Sequence, residues 1–456
     1  MARWLYSIGW LLATPLALGY LLWRSRKQPD YRRHLGERFG LHRRRRSTRP
    51  LLWVHAVSVG ETRAAQPLLR ALLERYPQHE LLLTHMTPTG RDTGAELFAG
   101  PRVQQAYLPY DHPWALRRFL RAWRPAIGIV METELWPNLV AVARRQGVPL
   151  AFVNVRLSPR SLRKGLRFGR LIRPALAGVD LVLAQTRADA QRLAVLGRDD
   201  VTVVGNMKFD VTPAPAMEAL GHRWRLAWLA GRGAGGLPRP CVLAASTRDG
   251  EEALLLDAWV RHLRAGQGAD AGGADAQRGA GSADQEHATA PRSSPLFIIV
   301  PRHPQRFGEV ADLIARHGLR YERRSAVDAA GPLDCDVLLG DSMGEMAAYY
   351  AAADVAILGG SLLRFGGQNL IEACAAGVPV VMGPHTFNFA EAAAQAIDAD
   401  AAERVADAGR AVAVALAIAC DDERRQSMSE RAADFAERHR GATARTVAAL
   451  ARLIER

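Results

Sequence analysis

The order of hydrophobic and polar positions along the chain predicts two successive domains of alternating strands and helices. In the first half, seven short apolar runs have strand character, and between them apolar residues recur at helical spacing. The runs are residues 51–55, 80–84, 105–108, 126–131, 150–154, 181–185 and 201–205. Because strands that alternate with helices pair in parallel and are covered on both faces, this half is predicted to be an α/β, Rossmann-like domain.

A second alternation follows a stretch that is rich in Pro, Ala and Gly. Its apolar runs are residues 241–245, 296–300, 337–340, 355–358 and 378–382. The pattern therefore predicts an N-terminal domain at 28–212, a linker at 213–238, a C-terminal domain at 239–436 and a final helix at 437–456. Residues 266–294 are dominated by Ala, Gly, Asp, Gln and Ser, which bury too little apolar surface to offset ordering, so we predict a disordered insertion there.

The N-terminal segment is long and apolar enough to cross a membrane. Residues 4–23 carry no charge, and about 20 such residues span the hydrocarbon as a helix, in which Pro15 is tolerable. A cleavable signal peptide is the competing interpretation, but Arg24, Arg26 and Lys27 occupy the place of its small-residue cleavage site. We therefore predict that residues 1–27 form an uncleaved anchor with a basic flank, with the rest of the chain on the cytoplasmic side.

The distribution of charge supports a membrane partner rather than nucleic acid. The 456 residues carry a net charge of +14, and residues 1–60 hold twelve Lys and Arg against two Asp and Glu. A basic end beside an apolar segment favours anionic phospholipid head groups. The four cysteines have no paired or metal-like spacing, and no His, Cys and Asp cluster has the spacing of metal ligands, so we expect no disulfide, metal or cofactor.

Glu61 is the first candidate for chemistry. The apolar run 51–55 leads through Gly60 to Glu61, and helical spacing begins at Thr62. A strand-to-helix turn lies at the carboxyl edge of an open α/β sheet, where ligands bind, and Gly60 is expected to allow a tight turn. The carboxylate of Glu61 can be a base there, or it can simply complement the helix dipole in the first turn.

Three further charged residues in the first half follow strand-like runs. Glu132 and Glu134 come after the run 126–131; they share a face if the chain is extended, whereas a helix that began at Thr133 would separate them. Charged residues at a helix start are the alternative. Lys208 follows the run 201–205, and a solvated surface charge is its ordinary interpretation.

The second half offers candidate phosphate ligands. Ser246 and Thr247 end the run that starts at residue 241 and precede a helix near Glu251. Their hydroxyls and the helix N–H groups can receive a phosphate, or they can cap the helix. Arg302 follows the run 296–300, and it offers a planar fork to a phosphate or a base if it is not simply a surface residue.

Glycine-rich loops and a carboxylate follow later in the second half. The clusters 359–361 and 366–367 flank a loop that leads into a helix; such a loop can cradle an anion or can be only a turn. On that helix Asn369 and Glu372 share a face, and Glu372 can accept hydrogen bonds from ribose hydroxyls. Residues 342–345 precede another helix and fit a capping box, or they contact a nucleotide base.

Motifs in one order along the chain resemble those of the 3-deoxy-D-manno-octulosonate (Kdo) transferases of lipopolysaccharide synthesis. They are His55-Ala-Val-Ser-Val-Gly-Glu61, Thr87-Pro-Thr-Gly90, Tyr107-Leu-Pro-Tyr-Asp111, Met131-Glu-Thr-Glu-Leu-Trp-Pro-Asn138, Gly205-Asn-Met-Lys-Phe-Asp210, Val300-Pro-Arg-His-Pro304, Ser342-Met-Gly-Glu-Met346, Gly359-Gly-Ser361 and Gly383-Pro-His-Thr-Phe-Asn-Phe389. The resemblance covers residues 31 to about 391. Arg248 and Gln368 depart from it, because the family pattern leads us to expect histidine at both positions.

The resemblance implies a role for each candidate. Glu61 would be the general base, while Glu132 and Lys208 would stabilise the transition state. The residues that would bind the CMP-Kdo donor are Ser246, Thr247, Pro301, Arg302, Met343, Gly344, Glu345, Gly360, Ser361, Asn369, Leu370, Ile371 and Glu372.

The resemblance also implies a reaction and an architecture. The fold would be GT-B, with two Rossmann-like domains facing each other across a cleft. The enzyme would be an inverting glycosyltransferase that moves Kdo from CMP-Kdo to a lipid A precursor, lipid IVA, at the cytoplasmic side of the inner membrane, without a metal or cofactor. The alternative is another GT-B nucleotide-sugar enzyme, such as a UDP-sugar transferase or an epimerase.

Overall fold

The computed structural model describes residues 1–26, 28–212, 215–229, 238–275, 294–327 and 331–455. Their contacts divide the chain into two compact units. Unit 1 comprises Met1–Val211 together with His439–Arg456, and unit 2 comprises Thr212–Arg438. Part of the predicted linker is helical and belongs to unit 2, while its residues 213–214 and 230–237 lie outside the described residues.

Unit 1 is built on a sheet that has seven strands within the described residues. They are β1 (Leu51–His55), β2 (Glu80–His85), β3 (Val103–Tyr107), β4 (Ile127–Met131), β5 (Leu150–Val155), β6 (Leu181–Ala184) and β7 (Thr202–Val203). Their order across the sheet is β3-β2-β1-β4-β5-β6-β7, and neighbouring strands run parallel. In β1, His55 lies opposite Thr84 of β2 and Val130 of β4.

Helices cover both faces of this sheet. Successive residues of β1 alternate between two cores, with Leu51 and Trp53 in one and Leu52 and Val54 in the other. The helices before and between the strands are α1 (Ala2–Arg24), α2 (Val59–Ala64), α3 (Gln66–Arg75), α4 (Pro88–Leu97), α5 (Pro113–Trp123), α6 (Pro137–Arg145), α7 (Pro159–Arg167), α8 (Gly169–Ala177) and α9 (Arg187–Val195). A 3₁₀ helix, Met207–Asp210, follows β7.

Unit 2 repeats this plan with seven strands among its described residues. They are β8 (Cys241–Thr247), β9 (Leu296–Pro301), β10 (Tyr321–Arg323), β11 (Val337–Leu339), β12 (Val355–Leu358), β13 (Val380–Met382) and β14 (Ala402–Arg404). Their order is β10-β11-β9-β8-β12-β13-β14, again parallel. Its helices are α10 (Pro215–Leu229), α11 (Glu251–Asp275), α12 (Phe307–Arg316), α13 (Met346–Ala352), α14 (Leu370–Ala375), α15 (Ala390–Asp398), α16 (Ala408–Cys420) and α17 (Asp422–Arg438).

The C-terminal helix α18 (Ala442–Ile454) returns to unit 1. Val447 and Leu450 join the core beneath β1. The Asp210 carboxylate accepts hydrogen bonds from the backbone N–H groups of Gly441 and Thr443, which satisfies donors that the helix start would otherwise leave unpaired. The end of the chain thereby holds the 3₁₀ turn that carries Lys208.

The prediction of two Rossmann-like α/β units is confirmed. The edge strands β10 and β14 were not predicted, because each has only three residues and includes charged side chains, so neither forms an apolar run. Helix α11 continues to Asp275, inside the segment 266–294 for which composition predicts disorder. Residues 276–293 of that segment lie outside the described residues.

Candidate active site

The carboxyl ends of β1 and β4 meet where the strand order of unit 1 reverses. Strands β2 and β3 lie on one side of β1, whereas β4 and the later strands lie on the other. Ligands of open α/β sheets bind in the crevice that such a reversal leaves at the carboxyl edge. Glu61 lies in the helix that follows β1, and Glu132 directly follows β4. The topology therefore brings two predicted catalytic carboxylates to one switch point.

Glu61 is held by the turn that leads from β1 into α2. The N–H of Val57 donates to its Oε2 at 2.8 Å, and the Ser58 hydroxyl donates to its Oε1 at 3.3 Å. Glu61 lies in the first turn of α2, which is where the alternative interpretation also placed it. The expectation that Gly60 permits a tight turn is wrong: its φ is not positive, and an added Cβ would meet only the Ser58 hydroxyl oxygen, at 3.9 Å. The space beside Gly60 is therefore open.

The surroundings of Glu61 favour its protonated form. Burial is the largest effect, and the negative charges of Glu132 and Glu134 add to it, while the hydrogen bond from Val57 acts in the opposite direction. Together they raise the pKa of Glu61 from 4.5 to about 7. A carboxylate whose pKa lies near the working pH is well matched to accept a proton in a reaction.

Glu132 lies in a left-handed turn and contacts Lys208. Its φ is +56°, a conformation that costs a non-glycine residue on the order of 1 kcal/mol and that is frequent at functional sites. Its N–H donates to the carbonyl of Val153 at 2.9 Å, which fixes the turn against β5. Its Oε1 lies 3.7 Å from the Lys208 Nζ. The fold thus joins two candidates that come from distant segments.

The loop after β4 extends as far as Trp136. Helix α6 begins at Pro137 and not near Thr133, so Glu132 and Glu134 both lie before the helix. The reason is local, since the residue before a proline disfavours helical geometry whereas proline suits the first helical position. The Oε2 of Glu134 accepts a hydrogen bond from the Trp136 indole N–H at 2.8 Å.

Two asparagines that were not predicted position Lys208. Asn206 accepts a hydrogen bond from the Lys208 N–H at 3.0 Å, which caps the 3₁₀ turn. Asn154, at the end of β5, is buried, has a φ of +55°, and accepts the N–H of Met207 at 3.2 Å. Nothing in the sequence around Asn154 indicates that it meets a turn 53 residues later.

Unit 2 has its own switch point, between β8 and β12. Ser246 at the end of β8 has a φ of +57°, and the loop after β12 passes so close that a Cβ on Gly359 would lie 2.3 Å from the Ser246 carbonyl oxygen. Only glycine fits there. The N–H of Arg302, at the end of the neighbouring β9, donates to the carbonyl of Thr247 at 3.0 Å. Three predicted donor segments therefore converge at this edge.

The side chains of Ser246, Thr247 and Arg302 differ in how much hydrogen-bonding capacity they keep for a ligand. The Thr247 hydroxyl is buried and donates to Glu252 at 2.7 Å. The Ser246 hydroxyl lies 3.7 Å from the Met346 sulfur, a weak acceptor. Arg302 is exposed, and its guanidinium forms no ion pair with any residue that the structure describes. Of the three, Ser246 and Arg302 retain the most capacity for an anionic ligand.

Glu251 organises this edge and was not predicted as a site residue. It is the first residue of α11 and is fully buried. Its carboxylate accepts the N–H groups of Arg248 at 2.9 Å, Gly360 at 2.6 Å, Leu362 at 3.0 Å and Leu363 at 3.3 Å. The hypothesis that the glycine loop cradles an anion therefore does not hold for the Gly360 amide, which is already bonded to a carboxylate.

Four more of the residues predicted to bind CMP-Kdo have side chains that are buried in the protein. The Ser361 hydroxyl is buried, donates to the Leu358 carbonyl and accepts the N–H of Gly383 at 2.8 Å. The side chains of Pro301, Leu370 and Ile371 are likewise buried.

The segment 342–345 does not cap a helix with Ser342. Helix α13 begins at Met346 with Glu345 as its N-cap, and the Ser342 hydroxyl instead shares a hydrogen bond with the Tyr349 hydroxyl at 2.8 Å. Glu345 forms an ion pair with Arg324 at 3.1 Å. The remaining two residues of the segment are an exposed methionine, Met343, and Gly344, whose φ is +83°. The capping-box interpretation is therefore wrong.

Asn369 and Glu372 lie together at the start of α14. Asn369 is the N-cap, accepts the N–H of Ile371 at 3.3 Å and donates from its amide to the Glu372 Oε1 at 2.9 Å. Arg248, one of the two departures from the family pattern, lies with its Nη1 2.8 Å from the His303 Nε2 and with its guanidinium over the ring of Phe365. A cation thus stands near this edge where histidine was expected.

Comparisons with known proteins show what the chain is similar to. A family model described as 3-deoxy-D-manno-octulosonic-acid transferase matches residues 33–211. A 3-deoxy-D-manno-octulosonic acid transferase of Bordetella pertussis is 49% identical over 88% of this chain and 86% of its own length, and that of Haemophilus influenzae is 34% identical over 86% and 84%. A UDP-GlcNAc 2-epimerase from Neisseria meningitidis, 14% identical, superposes with a TM-score of 0.56 over 88% of this chain and all of its own, a likeness of fold alone.

Proposed function

The chain belongs to the 3-deoxy-D-manno-octulosonic acid (Kdo) transferases, and we propose that it transfers Kdo from CMP-Kdo to a 6′-hydroxyl of a lipid A precursor, lipid IVA, with inversion at the anomeric carbon. Membership rests on relatives at 49% and 34% identity over most of the chain. One observation supports the proposed chemistry most directly. Glu61, with a pKa raised to about 7, stands at the same switch point as the Glu132–Lys208 pair.

In the proposed reaction Glu61 is the general base. An alcohol is too weak an acid to ionise before the reaction, so the proton moves to Glu61 as the acceptor oxygen bonds to the anomeric carbon. In the same step the bond from the anomeric carbon to the CMP phosphate oxygen breaks, and its electron pair leaves with CMP. The hydrogen bond from Val57 holds one carboxylate oxygen while leaving lone pairs on both oxygens for the proton.

The Glu132–Lys208 pair serves the sugar that develops positive charge. A carboxylate beside an oxocarbenium-like sugar stabilises it electrostatically. The Lys208 Nζ lies 3.7 Å from the Glu132 Oε1, and we assign its ammonium group to the carboxylate of Kdo or to the leaving phosphate. The negative charge of Glu132 also raises the pKa of Glu61, so Glu132 helps to tune the base.

Recognition of CMP is assigned to the carboxyl edge of unit 2. Arg302 offers a guanidinium without an ion pair among the described residues, and Ser246 offers a hydroxyl with only a weak partner. Glu372, oriented by the Asn369 amide, can accept hydrogen bonds from ribose hydroxyls. Gly360 and Ser361 contribute the shape of the loop, since their N–H and hydroxyl are already bonded.

Attachment to the cytoplasmic face of the inner membrane completes the proposal. Helix α1 is the one helix of the described residues that is long and apolar enough to cross a membrane. It belongs to unit 1, which also carries Glu61, so the unit that deprotonates the acceptor would be the one that meets the lipid phase.

The decisive experiment is a transfer assay with CMP-Kdo and lipid IVA, read by mass analysis of the product. Glu61→Gln keeps an oxygen for the Val57 N–H but removes the base, so we expect turnover to fall by about 10²–10⁴. The matched control is Glu96→Gln, an exposed glutamate on α4, which should leave turnover unchanged. Near-wild-type turnover in Glu61→Gln would overturn the assignment of the base.

Two further measurements address the donor nucleotide and the need for a metal. CMP should raise the melting temperature of the protein more than UDP, since linkage rewards the nucleotide that the folded protein binds. The reverse order would favour a UDP-sugar enzyme of the same fold. Activity should survive EDTA, and complete loss in EDTA would contradict the proposed metal-free reaction. Among the residues that the structure describes, no group of three or more His, Cys, Asp or Glu could hold a metal ion.

A further inference from the structure

Helix α1 lies along the surface of unit 1 and contacts it from near its start to near its end. The Ser7 hydroxyl donates to the Asn138 Oδ1 at 3.1 Å, and the Thr14 hydroxyl lies 2.9 Å from the His112 Nε2. Trp10 stacks on Tyr110 with ring centroids 5.8 Å apart. Further along, Leu21 is buried in the same cluster as Tyr110. The contacts recur at the three- to four-residue spacing of a single helix face.

The surface beneath this face includes buried polar groups. His112 and Asn138 are each about 2% exposed or less, and so is Asp111, whose carboxylate accepts the N–H groups of Asn138 and Leu139 at the start of α6. From Ser7 to Leu21 the docked stretch measures about 21 Å at 1.5 Å per residue. A helix that spans a bilayer is surrounded by about 30 Å of hydrocarbon, so α1 could span only by leaving these partners. The buried polar groups would then lose their bonds.

The opposite face of α1 is apolar and uncovered. Its apolar residues alternate along α1 with the residues that contact unit 1, and Leu16 keeps 77% of its surface exposed. The exposed large apolar side chains of this face include Trp4, Leu5, Ile8, Leu11, Leu12, Leu16, Leu22 and Trp23. One face of α1 can therefore contact lipid, while the opposite face packs against unit 1.

A basic segment continues this uncovered face. Leu5 and Tyr6 of α1 line a cavity of about 950 Å³ together with Leu166 and Phe168, and Phe168 is 57% exposed. Helix α7 has no buried residue, and residues 157–179 contain no Asp or Glu. The basic residues of α7 and α8 are exposed and form no ion pair with any residue that the structure describes; they are Arg160, Arg163, Lys164, Arg167, Arg170 and Arg173.

From this arrangement we infer that α1 does not cross the bilayer but lies in the plane of its cytoplasmic face, with α7 and α8 beside it on the anionic phospholipid surface. The apolar half of α1, together with Leu166 and Phe168, enters the boundary between head groups and acyl chains, as amphipathic interfacial helices do to a depth of about 5–10 Å. The arginines of α7 and α8 meet the head-group phosphates. The inference rests on the membrane attachment proposed above, though not on the transfer reaction.

Depth measurements on the full chain test the inference. With Cys420→Ser to remove the exposed native thiol, single variants Leu5→Cys, Leu12→Cys, Leu16→Cys and Phe168→Cys carry a fluorophore on vesicles of phosphatidylethanolamine and phosphatidylglycerol. Quenching by lipids labelled at known depths should place all four at one shallow level. Glu96→Cys, exposed on α4, is the control and should not be quenched. A fluorophore at Leu12 near the bilayer centre, about 15 Å deep, would overturn the inference.

Two companion measurements separate the possible failures. A short bifunctional reagent should join Ser7→Cys to Asn138→Cys on vesicles, whereas loss of this cross-link on membrane binding would mean that α1 undocks to span. Replacing Arg163 and Arg167 by Gln should weaken flotation on anionic vesicles about tenfold but not on phosphatidylcholine, and an unchanged affinity would overturn the role of α7. If the unaltered protein did not float at all, the proposed attachment itself would be wrong, while transfer to soluble acceptor analogues would still test the reaction.

Discussion

Glu61 of unit 1 and Glu251 of unit 2 stand in corresponding places. Each follows the strand that borders the reversal of strand order in its sheet, and each lies at the start of the next helix. Glu251 is fully buried, and its two oxygens accept four backbone N–H groups. Glu61 is partly exposed and accepts one N–H at 2.8 Å and one hydroxyl at 3.3 Å.

The difference shows what decides the use of a carboxylate at such a position. An ionised carboxylate has about four lone-pair sites, and Glu251 has filled them with the amides of a loop. It therefore acts as an internal brace for the edge that is assigned to CMP. Glu61 keeps lone pairs in reserve, and burial together with two neighbouring glutamates raises its pKa to about 7. The same side chain can thus hold a loop in one unit and take a proton in the other.

The largest expected effect comes from giving both positions the same substitution. Glu251→Gln places an amide NH₂ against backbone N–H groups in a buried site, and each donor left unpaired costs about 1–3 kcal/mol. We expect the free energy of unfolding of unit 2 to fall by about 3 kcal/mol and the stabilisation by CMP to be lost. Thermal melts with and without CMP measure both effects.

Glu61→Gln should show the opposite balance of stability and activity. Because its pKa rises from 4.5 in the unfolded chain to about 7 in the fold, the folded state holds a proton that the unfolded state releases between these values. The contribution of Glu61 to stability therefore falls as pH rises through that window. Above pH 7, Glu61→Gln should be at least as stable as the unaltered protein. Equal stability losses in Glu61→Gln and Glu251→Gln would break the comparison.

A smaller effect is expected when Lys208, the partner of Glu132, is replaced by an uncharged residue. Lys208→Met keeps most of the side-chain volume but leaves Glu132 without its partner 3.7 Å away. We expect kcat/KM for Kdo transfer to fall roughly 100-fold, the size typical of losing one preorganised electrostatic group. The double variant with Glu132→Gln should lose less than the product of the two single losses, since the groups act as a pair. Full multiplicativity would show that they act independently.

Some of this site could be predicted from the sequence because the signals are local. The runs that became β1 and β12 have the boundaries expected from their apolar residues, and Glu61 and Glu132 were placed after their strands because a buried run ended in a carboxylate. Glu251 was not identified as a brace, because its partners Gly360 and Leu362 lie more than a hundred residues away. A helix-start glutamate has the same local pattern whether it braces a loop or faces a substrate.

The errors have a similar cause. Ser342 and Glu345 have capping-box spacing, but the tertiary partners Tyr349 and Arg324 compete for them and the helix begins later. The left-handed turn at Glu132 depends on the loop before Pro137 and on a hydrogen bond to β5. Spacing along the chain does not report such contacts.

Substitutions of Asn154 test whether a residue that holds the turn of Lys208 affects the reaction. Asn154→Gly adopts the φ of +55° without strain, so its losses are the buried side chain and its hydrogen bond to the Met207 N–H in the turn that carries Lys208. We expect kcat to fall roughly tenfold with little change in KM for CMP-Kdo, because a looser turn misplaces the cation. Asn154→Ala adds strain and should lower the melting temperature further. A kcat that is unchanged in Asn154→Gly would assign Asn154 to folding alone.

The smallest effect is expected from the charge of Glu134, which raises the pKa of Glu61 although we assign Glu134 no role in the reaction itself. Glu134→Gln keeps an oxygen for the Trp136 indole N–H but removes one of the negative charges that raise the pKa of Glu61. The acid limb of the pH profile of kcat/KM, which should lie near pH 7, is then expected to move to lower pH by less than about one unit, with the plateau unchanged. Glu96→Gln should not move it. A shift to higher pH would mean that Glu61 is not the group whose deprotonation controls the reaction, and the contrast with the fully bonded Glu251 would lose its functional meaning.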